Sequence, residues 1–123
     1  MTQNILEFSA LVLADRLPVT SDEQLDQLDF GVVEMNLNCE VLRYNATESR
    51  YSGLAVDRVI GRHFFTEVAP CSNNRKVAGR FNEAVLDETI SYTFALRMKP
   101  VPVTLRMIKT EACENMYLLV WWV

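Results

Sequence analysis

The sequence is poor in the residues most catalytic and metal sites need. It holds one histidine, His63, and three cysteines, Cys39, Cys71 and Cys113, in 123 residues. The cysteine spacings fit no disulfide framework, and with no close cysteine pair and no second histidine a zinc site lacks its ligands. A Cys–His hydrolase pair would have to be His63 and Cys71, and no orienting acid is evident for them. No apolar run approaches the roughly 18 to 20 residues of a membrane span. The longest N-terminal candidate, Ala10 to Ala14, stops at Asp15-Arg16, with neither a basic leader nor a small-residue cleavage site. A cytoplasmic protein with no membrane partner is expected. Lysine and arginine are scattered, the formal net charge is -4, and no basic stripe invites a nucleic-acid partner. Repeats and low-complexity tracts are absent too.

What remains is enough for one domain, 50% hydrophobic and 23% charged, long enough to bury a single core. Leu6, Ala10, Leu13 and Leu17 recur at helical spacing and Pro18 closes the run, so residues 1–20 read as an N-terminal helical cap. Ser21 with Gln24 forms a capping-box pattern that opens a brief helix through Leu28. Gly31 to Leu37 and Glu40 to Tyr44 read as a hairpin turning at Asn38-Cys39, which leaves Cys39 exposed and structurally neutral. Asn45 to Val68 breaks into short pieces punctuated by Gly53 and Gly61. Asn73 or Asn74 is placed to cap a longer helix to about Leu86, with Val77, Phe81, Ala84 and Val85 on one face.

Three strands close the chain. Tyr92, Phe94, Leu96 and Met98 alternate with Ala95, Arg97 and Lys99 in the first. Pro100 and Pro102 are expected to break it from the second, which carries Val103, Leu105 and Met107. A turn at Glu114-Asn115, with Cys113 incidental beside it, leads to a last strand, Met116 to Val123, apolar on both faces. The expected fold is α+β and PAS-like: a five-stranded antiparallel sheet flanked by helices, with a pocket between sheet and helices and the sensor domain spanning residues 21–123.

Two segments carry chemistry. The run from Gly61 to Cys71 brings Phe64, Phe65, Val68, Ala69 and Pro70 up to a thiol, and proline stiffens the bend that holds it. Such a thiol suits either an inert core position or the attachment of a flat aromatic ligand. In Tyr44-Asn45-Ala46-Thr47-Glu48, the phenol and the carboxyl are one helical turn apart, and Ser52 follows one turn later. They can converge on one point; equally, Glu48 can be a solvated surface acid.

Together these segments resemble the photoactive yellow protein family of blue-light photoreceptors. Its attachment signature is matched by Phe64-Phe65-Thr66-Glu67-Val68-Ala69-Pro70-Cys71, and its pocket signature by Tyr44-Asn45-Ala46-Thr47-Glu48 with Ser52-Gly53. Gln24-Leu25-Asp26, Phe30-Gly31, Gly79-Arg80-Phe81 and Tyr92-Thr93-Phe94 also match. The resemblance covers roughly residues 21–123. It implies a 4-hydroxycinnamic acid (p-coumaric acid) chromophore in thioester linkage to Cys71. Tyr44 and a protonated Glu48 would donate to its phenolate, and Ser52 would support Tyr44. Phe64, Val68, Ala69 and Phe94 would line the pocket, and Met98 matches the methionine associated with thermal recovery. Leu54 stands where the family usually has an arginine, and Leu96 where it has a tyrosine. The resemblance further implies a non-enzymatic monomer or weak dimer that signals, by partial unfolding, to a separate downstream protein of unknown identity. The alternatives are a chromophore-free PAS module for another ligand or a partner protein, and a thiol-reactive protein using Cys71.

Overall fold

The computed structural model describes residues 7–96, 99–111 and 114–122. Met98 and Cys113, and the first six residues of the expected N-terminal helix, lie outside them.

Five antiparallel strands form one sheet in the order β2-β1-β5-β4-β3. They are β1 (Gly31–Met35), β2 (Val41–Tyr44), β3 (Leu86–Leu96), β4 (Lys99–Lys109) and β5 (Met116–Trp121). β5 is central and buried on nearly every residue, as its unbroken apolar run requires. The hairpin β1–β2 has Cys39 at φ 65, a left-handed turn conformation uncommon for a residue with a Cβ. Cys39 is not the neutral surface residue its turn position suggests: it is half-buried against the main core, and burial raises its thiol pKa.

The two sheet faces carry separate cores. On one, Val33, Met35, Leu105, Met107, Leu118 and Val120 meet Phe64, Phe65 and Phe81 from the connecting segments. That middle segment holds α3 (Ala46–Ser52) and α4 (Val56–Val59). On the other face, Val32, Ile108, Tyr117 and Leu119 pack with Leu13, Leu17, Leu25 and Phe30. Among the described residues of the expected N-terminal helix, α1 (Leu13–Arg16) is the regular part, and Pro18 lies inside the 3₁₀ turn Leu17–Val19 that follows it. α2 (Asp22–Asp26) opens on the expected capping box, with Ser21 and Gln24 bonding reciprocally.

Two arginines clamp the N-terminal segment to the sheet. The Arg106 guanidinium makes a two-pronged pair with Asp87 at 2.8 and 2.9 Å and donates to the carbonyls of Phe8 and Ala10. Arg43 pairs with the buried Glu34 and donates to the carbonyls of Leu17 and Thr20. Arg106 is buried, and replacing it with alanine removes donors to a carboxylate and to two carbonyls at once. The expected cost is about 2 kcal/mol. It should be seen as a lower urea midpoint and as faster proteolysis near Phe8 while the sheet stays intact.

Two further expectations fail. No long helix follows Asn74: its side-chain oxygen accepts from the N–H groups of Lys76 and Val77, folding the chain into a turn, and only a 3₁₀ turn, Ala78–Asn82, comes after. Val85 is exposed and β3 starts at Leu86. Nor do Pro100 and Pro102 separate two strands. Both lie within β4, opposite Ala95 and Thr93. Among the described residues β5 pairs from Thr104 onward, so there this end of β4 has an unpaired edge where a missing N–H is tolerated.

Candidate functional site

Asn45 builds the site. Its buried side chain caps α3 by accepting from the Glu48 N–H, accepts from the Val32 N–H, and donates to the carbonyls of Leu25 and Phe30. All four of its side-chain hydrogen-bonding positions are used, so the start of α3 is fixed against β1 and the end of α2. Gly53, at φ 78, ends the helix in the left-handed conformation that glycine adopts without strain. Glu48 and Ser52 therefore lie one turn apart on α3, Tyr44 ends β2 just before it, and the three line one small cavity together with Leu54, Phe64, Val68, Ala69, Phe94 and Trp122.

Glu48 is 3% exposed and accepts a 2.7 Å hydrogen bond from the Trp122 indole. Burial raises its pKa from 4.5 to about 7, against a smaller lowering by the Trp122 donor. Gly31 passes directly beneath: a Cβ there would stand 1.8 Å from Glu48 Oε1. The Tyr44 hydroxyl donates to Ser52 Oγ at 2.9 Å. Its pKa is raised by burial first and by the Glu48 charge second, so the phenol holds its proton. Both acids are thus proton carriers in apolar surroundings.

The far wall is a π-helical turn, Phe64–Val68, closed by the Ala69 N–H to the Phe64 carbonyl and capped by His63 Nδ1 accepting from the Thr66 N–H. Wide turns of this kind gather at functional sites. Here it brings Phe64, Val68 and Ala69 to the same cavity although the last is five positions beyond the first. Cys71 follows in the 3₁₀ turn Pro70–Ser72. It is half-buried against the same core without lining the cavity itself. The Tyr92 hydroxyl donates to its carbonyl at 2.6 Å and ties the thiol's backbone to β3.

Motif matching put Tyr44, Glu48, Ser52, Phe64, Val68, Ala69 and Phe94 together, and the structure brings them to one cavity. Trp122 escaped it; the apolar C-terminal run was its only sequence signal. The cavity is tight, with about 20 Å³ open to the centre of a water-sized sphere, and half-exposed Leu54 stands at its edge. A larger hollow of about 490 Å³ lies near Phe8 and Trp121, but its acids, Glu7 and Asp29, are exposed to solvent. The buried carboxyl and phenol line the small cavity, not this hollow.

No protein-family model matches the chain. It is 34% identical to a photoactive yellow protein of Halochromatium salexigens over 95% of its own length and 97% of the relative's. It is 32% identical to one of Rhodothalassium salexigens over 80% and 82%. Among solved structures, the photoactive yellow protein domain of the sensor histidine kinase Ppr from Rhodospirillum centenum superposes with a TM-score of 0.80. That pair is 35% identical, with 87% of this chain and 97% of that one covered. A PAS domain of an HTR-like protein from Haloarcula marismortui shares the fold, with a TM-score of 0.66 at 9% identity over 83% of this chain and 93% of that one.

The sheet, its helical flank and the enclosed cavity define a PAS-type sensor domain. Within that class the chain belongs to the photoactive yellow protein family. Among the described residues no helix is long and apolar enough to cross a membrane.

Proposed function

We propose that the protein is a blue-light photoreceptor carrying a 4-hydroxycinnamoyl group as a thioester on Cys71. The observation that carries this is the pairing of a buried carboxyl with a proton affinity raised towards neutrality and a buried phenol on one apolar cavity. A buried phenolate is costly unless hydrogen bonds compensate, and Tyr44 and Glu48 are the two donors placed to supply them. Ser52, free to reverse its present bond, would then donate to Tyr44. Phe64, Val68, Ala69 and Phe94 exclude water, and Leu54 would close the mouth in place of an arginine. Met98 belongs to the proposed site by its sequence match alone.

When bound, the group supplies a light-driven double-bond isomerisation. Glu48 stores a proton in the dark and releases it on signalling. The buried carboxylate left behind disfavours the surrounding packing by an amount on the order of several kcal/mol, comparable with the stability of a small domain. Partial opening at the N-terminal cap, residues 1–20, is the output. A non-enzymatic, cytoplasmic monomer or weak dimer would pass it to a separate signalling protein. The small cavity favours one competing function, a chromophore-free PAS interaction module, because a ring enters only if lining side chains such as the partly exposed Leu54 move aside.

One experiment separates the two. Purified protein is mixed with an activated 4-hydroxycinnamate ester, and its intact mass and visible absorption are recorded. Loading should add one acyl group and turn the protein yellow, and Cys71→Ala should abolish both. A wild-type protein that stays colourless and unmodified, or an alanine variant that still loads, ends the proposal.

A further inference from the structure

Trp122 is buried at the end of the central strand. Its ring stacks on Tyr51 of α3, with centroids 5.5 Å apart and planes within 7°, and leans on Phe94 of β3, also at 5.5 Å. Held from two sides, it cannot turn its N–H away without breaking both contacts. The indole N–H only donates, so the Glu48 oxygen it meets at 2.7 Å has to accept. In a neutral carboxyl the accepting oxygen is the carbonyl one. Oε1 is thereby fixed as the carbonyl and the proton is assigned to Oε2. Tyr44 is the titratable neighbour that senses the Glu48 charge, and Gly31 presents no side chain on its side.

We propose that Trp122 is a positioning residue of the light-sensing site: its indole holds one oxygen of Glu48 and leaves the other to carry the exchangeable proton. This builds on the photoreceptor function above. Once the proton has left, the same N–H becomes a charge-assisted donor to the carboxylate, which lowers the cost of the signalling state. Trp122 thus orients the acid in the dark and shelters its anion in the light.

The test begins with ligand-free protein. Glu48 is followed by carboxyl-carbon NMR through a pH titration, its signal assigned with Glu48→Gln. Trp122→Phe keeps an aromatic ring and removes the donor, so the Glu48 midpoint should rise by about one unit, a tenfold gain in proton affinity. If the phenylalanine variant fails to fold, the benzothienyl analogue of tryptophan, which puts sulfur where the N–H was, preserves the shape and should give the same rise. An unchanged midpoint in a folded variant overturns the proposal. In protein loaded with the 4-hydroxycinnamoyl group, the Glu48 carbonyl stretch should move to higher frequency in the same variant, and a fixed stretch overturns it equally. A chain that never takes up the ring ends the photoreceptor function, and the ligand-free titration then decides the role of Trp122 by itself.

Discussion

Gly31→Ala is expected to destabilise the protein by about 4 kcal/mol, from overpacking and the loss of a hydrogen bond to a buried acid. Gly31 opens β1, and a methyl group there would stand 1.8 Å from Glu48 Oε1 and 2.9 Å from its carboxyl carbon. Neither separation is possible, so strand or side chain has to give. The strand is paired with β5 at Val120 and cannot retreat. Glu48 has to swing away, leaving the Trp122 indole without its acceptor in a site closed to water. The urea midpoint reads the loss of stability, and the pH titration of Glu48 reads the loss of the site. A Gly31→Ala protein as stable as the parent, with Glu48 still titrating near neutrality, would show that the carboxyl does not lie against β1.

The second large effect is in the pH dependence of stability. The folded Glu48 pKa is raised to about 7 from 4.5. Between those values the folded state keeps a proton that the unfolded state has lost. The stability from this linkage is fully present below the lower value and disappears as pH rises through the upper one. Its size is about 3 kcal/mol across that window. In Glu48→Gln the amide carbonyl can still accept from Trp122, but nothing titrates. The difference in unfolding free energy between the two ligand-free proteins should therefore move by that amount in favour of the glutamine variant from pH 4 to pH 8. Parallel stability curves would mean that Glu48 is hydrated.

Much of the fold is legible in local patterns. Ser21 with Gln24 marks α2, alternation marks β3, and the unbroken apolar run marks β5 as the buried middle of the sheet. These succeed because hydrogen-bond geometry or burial makes a local demand. The failures share a different cause. Val77 and Phe81 keep helical spacing, yet the Asn74 side chain takes the N–H groups a helix would need, a competition that periodicity does not reveal. Pro100 and Pro102 are strand breakers only where both edges are occupied, and edge occupancy is a property of the whole sheet. At the site, the spacing of Tyr44, Glu48 and Ser52 is readable because it is short: one helix carries Glu48 and Ser52, and Tyr44 ends the strand that leads into it. Trp122 was not, because it comes from a strand 74 positions away in the chain. The π turn gave no recognisable signal either, and without it the distance in sequence from Phe64 to Ala69 looks too long for one wall.

Asn45 has a mechanical consequence. One amide ties the first turn of α3, which bears the acid, to the carbonyls of Leu25 and Phe30 on the side where the N-terminal segment packs. It works as a rivet through the edge of the molecule. If α3 shifts when Glu48 becomes charged, it must either shear that rivet or drag the α2–β1 corner along, and in both cases the floor beneath Leu13 and Leu17 is disturbed.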